Sequence, residues 1–277
     1  MKYRSLGGTG LTVSVVGVGT WQLSGEWGMR FTQHEVDALL GRARDVGVNL
    51  VDTAECYGDH RAEALVGEAI RGRRGDWVVA TKFGHRFHED AMQAEGWSPG
   101  QVRTDHWAPG EVVVQLEESL RSLRTDYVDI YQFHSCPDDV FNRDDLWGAL
   151  REQVTKGKVR HLGVSLGSDD VYQAARGAER GASVLQVGYN RLDEAAEQGV
   201  FPAGLEHDLG VLAREPLANG YLTGKYQPGT RITAPTTGAP GHDPAQVQRK
   251  LELVDQIRRT EVPHGVPMAT WALAWCL

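Results

Sequence analysis

Four polar side chains stand where buried β-strands of this sequence end. Asp52 closes NLVDT, Lys82 closes WVVATK, His134 closes YVDIYQFH, and Tyr57 lies in the short loop after Asp52. A strand covered on both faces should be apolar, so these ends mark places where the cover stops. The four types suffice for one reaction. Carbonyl reduction needs an acid that protonates the developing alkoxide and a hydride donor; no side chain supplies hydride, so a cofactor is required. A tyrosine with an ordinary pKa of about 10 relays protons poorly near neutrality, and bringing it there takes roughly 4 kcal/mol. One ammonium ~4 Å away supplies about that much at an effective dielectric of ~20. Lys82 is the candidate ammonium. Asp52 would keep it charged and aimed while offsetting part of its effect, leaving Tyr57 tuned downward but not fully ionised. His134 would hydrogen-bond the substrate oxygen and orient the carbonyl.

Each residue has a plainer reading. Asp52 could cap a helix begun by DTAE, Lys82 could snorkel from a strand end, and His134 could be a satisfied core histidine. Complementary roles at three consecutive strand ends are what carry the chemical reading.

Positioning the four requires strands whose ends converge. Short β-rich runs alternate with amphipathic ones along the chain: VVGVGTW (15–21), NLVDT (49–53), WVVATK (77–82), YVDIYQF (127–133), VRHLGVS (159–165), SVLQVGY (183–189) and GVLARE (210–215). Between them lie helical patterns such as HEVDALLGRARDVG (34–47), AEALVGEAIRG (62–72), VVVQLEESLRSL (112–123) and DLWGALREQVTKG (145–157). The repeat means a closed barrel or an open doubly wound sheet. A doubly wound dinucleotide binder should carry GxGxxG after its first strand, and neither GGTG (7–10) nor GVGTW (17–21) fits that place. GGTG between YRSL and LTVS reads as a hairpin turn that plugs the bottom of a barrel. The expected fold is α/β, a (β/α)8 TIM-type barrel with an N-terminal β-hairpin plug, in one domain over residues 1–277. Seven strands are countable and the chain closes on the helical WALAWCL, so the eighth strand is expected beyond Leu277.

Composition narrows the partners. With 37 Asp and Glu against 29 Lys and Arg, a net charge of -8, there is no basic footprint for nucleic acid. MKYRSLGGTG lacks a signal peptide's apolar core and no run is long enough to span a bilayer, which places the protein in the cytoplasm. Cys56, Cys136 and Cys276 are few and far apart, as in a reducing compartment. No metal is expected: HRFH (85–88) offers two histidines in a loop without a third ligand.

The segments VDTAECYG, VVATKFG and YQFHS, with GVS, LQVGYN and PLANGYLTGKY further on, resemble the successive signatures of the aldo-keto reductase superfamily, in family order to about residue 226. The resemblance implies a (β/α)8 barrel binding NADP(H), less often NAD(H), without a Rossmann domain. It implies Tyr57 as general acid or base, Lys82 and Asp52 as its modulators, and His134 as the substrate-orienting residue. Ser165 and Gln186 match the pair that binds the nicotinamide carboxamide, and Asp52, Thr20 and Trp21 match positions beside that ring. Arg214, Pro216, Leu217, Ala218 and Asn219 match the pyrophosphate loop, and Lys225 a basic residue near the cofactor. Ser165 could instead be a helix N-cap and Lys225 a solvated charge. Three departures stand out: Leu166 where Asn or Arg is common, Arg214-Glu215-Pro216-Leu217 where an aromatic precedes Ser-Pro-Leu, and 2'-phosphate contacts that would follow the eighth strand. Arg214 could stack on the nicotinamide by its flat guanidinium or reach a phosphate.

Loops at the mouth set the substrate. Trp21, Trp27, Tyr57, His134 and Trp107 are expected to line an aromatic pocket, although the tryptophans could equally pin the long loop 83–109 to the rim. QPGTRITAPTTGAPGHDPAQ (227–246) reads as a flap over bound cofactor. The expected activity is NAD(P)H-dependent reduction of an aldehyde, ketone or sugar. The alternatives are a sugar dehydrogenase or epimerase running the oxidative direction, and a cofactor-sensing subunit like the potassium-channel β-subunits.

Overall fold

A computed structural model describes residues 1–26, 28–93, 102–232 and 243–277. The chain opens with a hairpin of β1 (Tyr3–Ser5) and β2 (Thr12–Ser14), paired antiparallel with Tyr3 opposite Ser14. There follow β3 (Val18–Gly19), α1 (Gln33–Asp45), β4 (Leu50–Asp52), α2 (Arg61–Ala69), β5 (Val78–Phe83), β6 (His85–Phe87), β7 (Arg103–Asp105), α3 (Pro109–Ser122) and β8 (Val128–His134). The remainder comprises α4 (Asp138–Phe141), α5 (Asp144–Thr155), β9 (Val159–Leu166), α6 (Val171–Arg180), β10 (Ala182–Gly188), α7 (Val200–Glu206), β11 (Gly210–Arg214), α8 (Pro244–Thr260) and α9 (Met268–Trp275). Local signals set the helix starts: a capping box joins Thr32 and Glu35 at α1, Pro109 opens α3, and Asp243 caps α8 ahead of Pro244.

All seven expected strands form, in one parallel sheet ordered β3-β4-β5-β8-β9-β10-β11. Successive central strands are spatial neighbours joined by helical crossovers, the order of a (β/α)8 barrel. Among the described residues β3 and β11 are the ends of the sheet.

Side chains alternate between two environments along each strand. Val79 and Phe83 of β5, Tyr131 and Phe133 of β8, and Leu162 and Val164 of β9 pack outward into the large core shared with the helices. Leu50, Val78, Ala80, Ile130, Val184 and Leu212 face inward and form a second core with Leu6 and Val13 of the hairpin. The hairpin therefore closes the bottom as expected. GGTG is a tight 3-10 turn there, with Gly7 at φ +49 and Gly8 N donating to the Asp208 carbonyl at 2.7 Å.

The described flanks of the stretch 83–109 are more regular than their composition suggests. They pair as antiparallel β6 and β7, with His85 opposite Asp105. Trp107, expected in the substrate pocket, is a correction: it is 7% exposed and packs against Phe83 and Phe133, with ring centroids 6.1 and 6.5 Å away. Its ring lies on Gly84, φ +121, where a Cβ would come within 1.9 Å. Burial of the indole against other rings pins this excursion to the barrel. Trp27, the other expected loop tryptophan, falls outside the described residues, as do 233–242 of the expected flap. The flap's start is tied down, since Gln248 accepts from Gly229 N at 2.8 Å and donates to the Thr230 carbonyl at 3.1 Å.

At Gly7 an added Cβ would meet Gly210 N at 2.3 Å and the Leu209 carbonyl carbon at 2.4 Å. Both are backbone atoms that no rotamer can clear. Gly7→Ala should therefore lower unfolding stability by roughly 2–4 kcal/mol through overpacking and the left-handed backbone together. Urea denaturation followed by tryptophan fluorescence reads this, and an unchanged midpoint would show that the hairpin contributes no stability.

Candidate active site

The inward alternation that builds the lower core continues to the C-terminal strand ends, where the residue types change from apolar to polar. Asp52, Lys82, Gln132, His134, Ser165, Gln186 and Arg214 all fall on this inward phase. Register sets them side by side: Lys82 lies opposite Gln132, His134 opposite Ser165, Ser165 opposite Gln186, and Gly188 opposite Arg214. Asp52, His134, Ser165, Gln186 and Arg214 line a cleft of about 720 Å³, with Lys82 and Gln132 buried behind them. Its size is that of a small-molecule site.

Lys82 is 1% exposed, and its ammonium meets three acceptors: Asp52 Oδ2 at 2.7 Å, the Thr53 carbonyl at 2.8 Å and Tyr57 Oη at 3.3 Å. Burial works against its charge, but Asp52 and Tyr57 outweigh it and hold the pKa above that of an ordinary lysine. Asp52 is neither a cap nor a surface charge. Its second oxygen accepts from Gln186 Nε2 at 2.7 Å and Gln132 Nε2 at 3.5 Å, and the residue before α2 is His60. Snorkelling of Lys82 and a capping role for Asp52 are thereby excluded.

Tyr57 departs from expectation. Burial raises its pKa, Lys82 lowers it, Asp52 raises it again, and the balance is pushed up to about 12. Loss of water around the phenol is the largest contribution and outweighs the single ammonium. Tyr57 is therefore a fully protonated donor at neutral pH. Its ring stacks on Trp21 at 6.3 Å and meets His134 edge-on at 5.9 Å.

His134 lines the cleft and is neutral. Burial, then the cationic fields of Lys82, His85, Arg103 and Arg214, push its pKa well below the usual histidine value. Nδ1 lies 3.5 Å from Cys56 Sγ, and its main-chain carbonyl accepts from His85 Nε2 at 2.8 Å. His85 and His88 do not converge on a common point: His85 Nδ1 contacts Asp105 at 3.0 Å and His88 contacts Thr104 at 2.8 Å.

The residues matched to a cofactor divide into two groups. Thr20, Trp21, Asp52, Ser165, Gln186, Arg214, Pro216, Leu217 and Asn219 all line the cleft. Ser165 Oγ donates to Gln186 Oε1 at 3.5 Å, and α6 is capped by Asp170, so Ser165 is not a helix cap. Arg214 lays its guanidinium 3.6–3.8 Å from where a Gly188 Cβ would sit, donates to the Leu166 carbonyl at 3.2 Å, and pairs with Glu215. Leu166 itself turns outward and is buried. Two matches are corrected. Ala218 packs beside Tyr221 and Leu222 in a separate apolar cluster, and Lys225 is exposed with its ammonium 4.6 Å over the Tyr226 ring; neither lines the cleft. The left-handed residues Ala218 and Asn219 turn the loop there, so that Leu217 and Asn219 line the cleft and Ala218 between them does not.

Several residues of the site were missed. Gln132, a donor to Asp52, could have been found from inward phase, because it sits two residues before His134. Arg103, Met29 and Ser135 line the cleft. Arg103 of β7 donates to the buried Glu26 at 2.6 Å, a pairing across 77 positions that carries no local signal.

The family model described as Aldo/keto reductase family matches residues 15–277. Aldo-keto reductase YhdN of Bacillus subtilis (strain 168) is 30% identical over 285 residues, spanning 100% of this chain and 81% of that protein. Among solved structures, the aldo-keto reductase AKR11C1 from Bacillus halodurans in its holo form superposes with a TM-score of 0.79 at 27% identity, over 100% of this chain and 82% of the other. The glycerol dehydrogenase AKR11B4 from Gluconobacter oxydans does so with a TM-score of 0.82 at 26% identity, over 99% and 82%. With the strand-end cleft these matches lead to one conclusion: the chain belongs to the aldo/keto reductase family, whose members are oxidoreductases that use nicotinamide cofactors.

Proposed function

We propose that the chain reduces an uncharged aldehyde, ketone or sugar to the alcohol with NADP(H), Tyr57 donating the proton and His134 orienting the carbonyl oxygen. The observation that carries this reading is the contact of a buried, charge-paired Lys82 with the Tyr57 hydroxyl at 3.3 Å, with His134 across from the phenol. Oxygen placed between the two rings would accept hydrogen bonds from a neutral phenol and a neutral imidazole. As the alkoxide develops, the Tyr57 proton moves to it and Lys82 stabilises the phenolate left behind.

The residues present suit a nicotinamide. Ser165 and Gln186 set a hydroxyl beside a primary amide, a donor and acceptor pair complementary to a carboxamide. The planar guanidinium of Arg214, fixed by the Leu166 carbonyl, offers a surface on which a flat ring can stack. Pro216, Leu217 and Asn219 would bound the phosphate-bearing part. When bound, the dinucleotide supplies the hydride that no side chain can. The choice of NADP(H) over NAD(H) rests on the family alone.

Charge supports the substrate class. Among the described residues, both arginines lining the cleft are paired with a carboxylate, Arg103 with Glu26 and Arg214 with Glu215, as is the buried Lys82 with Asp52. Paired cations exert little net pull on an anionic substrate.

Three outcomes test this. With NADPH and a panel of aldehydes, ketones and sugars, Tyr57→Phe should lose about 10²–10⁴ in kcat, the usual worth of a positioned acid, while binding the dinucleotide as tightly as the native chain. Equal turnover would sink the Tyr57 assignment, and tight binding without turnover on any substrate would favour a sensing subunit; NADH in parallel reads the cofactor. Ser165→Ala with Gln186→Met should weaken dinucleotide affinity about tenfold or more through two lost polar contacts, measured by fluorescence titration. A tyrosinate difference titration of native chain against Tyr57→Phe should show no contribution from Tyr57 until pH approaches about 12. A transition below pH 10 would mean that the ammonium, not burial, controls the phenol.

A further inference from the structure

Resting on the reading of His134 as the residue that orients the substrate oxygen, we infer that Cys56 is a positioning residue that fixes the tautomer of His134, its thiol donating to Nδ1 so that the ring carries its proton on Nε2. The sulfur lies 3.5 Å from Nδ1, and Cys56 is 1% exposed among Ala54, Phe87 and Val102. The direction of this bond follows from the sulfur's other neighbour. Arg103 of β7 brings its positive charge to the same sulfur and is itself anchored on Glu26 at 2.6 Å. A guanidinium offers donors only and cannot accept the thiol proton, whereas Nδ1 can, so the S–H goes to Nδ1. Burial keeps the thiol protonated by raising its pKa, and burial with the surrounding cations keeps the imidazole neutral, so the ring holds one proton. With Nδ1 accepting, that proton is on Nε2, the form able to donate to a carbonyl oxygen. The pair of Glu26 and Arg103 thus lies on the far side of the sulfur that holds His134.

The same place offers zinc-type ligands, since one ligating atom each of Glu55, Cys56 and His134 lie within 4.8 Å of one another. A guanidinium against the sulfur and the positive fields around His134 oppose a divalent cation there and favour the hydrogen bond.

The test uses the full chain labelled with ring-¹⁵N histidine, His134 being assigned by comparison with His134→Gln. Native chain and Cys56→Ser, which keeps a donor, should show Nε2 protonated and Nδ1 bare. Cys56→Val and Cys56→Ala, which keep an apolar filling, should show a mixture of tautomers. Turnover should fall about five- to tenfold in kcat in both apolar variants, the worth of one neutral hydrogen bond, with KM little changed and Ser restoring the rate. Native ring shifts in both apolar variants overturn the inference. Altered shifts with unchanged kcat uphold the tautomer control and count instead against the carbonyl-orienting role of His134.

Discussion

A fully buried ammonium must find an acceptor for every N–H it carries, and this requirement on Lys82 organises the top of the barrel. Three donors meet three acceptors: a carboxylate at the end of β4, a main-chain carbonyl one residue later, and the phenol in the following loop. Leaving one unmatched inside the protein would cost far more than a surface pair returns. Asp52 must therefore be held still. Its carbonyl accepts from both the amide and the hydroxyl of Thr20 at 3.0 Å, and its carboxylate accepts from Gln186. Strands from β3 to β10 are thus joined through one ion pair.

That pair does not make Tyr57 a base. An ammonium beside a phenol lowers its pKa, but the carboxylate that holds the ammonium raises it, and the exclusion of water raises it further. The arrangement keeps a proton on the phenol while placing a positive charge where the phenolate would form. Stabilising the product of proton transfer more than the starting state is the condition for lowering the barrier.

The sequence showed the strands and the four residues clearly because both depend on local pattern. A seven-residue run such as YVDIYQF followed by His134 is readable without knowing its neighbours. The inward phase would also have revealed Gln132, had period two been applied to the buried strands instead of treating both faces as covered. What could not be read depends on tertiary arrangement. Trp107 has the composition of a pocket residue, yet Gly84 leaves a space that fits its indole, and burial drew it inward. Arg103 and Glu26 meet across 77 positions, and Lys225 misses the cleft because the loop turns at Ala218, Asn219 and Gly220. The rise in Tyr57 pKa was hidden for a similar reason: charges can be counted in a sequence, whereas desolvation needs the surrounding atoms.

Backbone strain follows the same division between the two ends of the barrel. Among the described residues other than glycine, Asp59, His60, Ser135, Glu215, Ala218 and Asn219 hold positive φ in loops that follow the C-terminal ends of β4, β8 and β11, against Arg124 and Asp208 at the opposite end. Such conformations cost of order 1 kcal/mol each and persist only where neighbours fix them. Here main-chain bonds do so: His60 N donates to the Glu55 carbonyl at 2.7 Å, Ser135 N to the Ser165 carbonyl at 2.8 Å, and Ala218 N to the Glu215 carbonyl at 2.8 Å. Ser135 is the most telling, because its turn comes directly after His134 and ties that strand end to β9 beside Ser165. The stability supplied by the apolar lower core, closed by the hairpin, offsets strain at the mouth. An imidazole can thus be held at a fixed angle on the last paired residue of its strand.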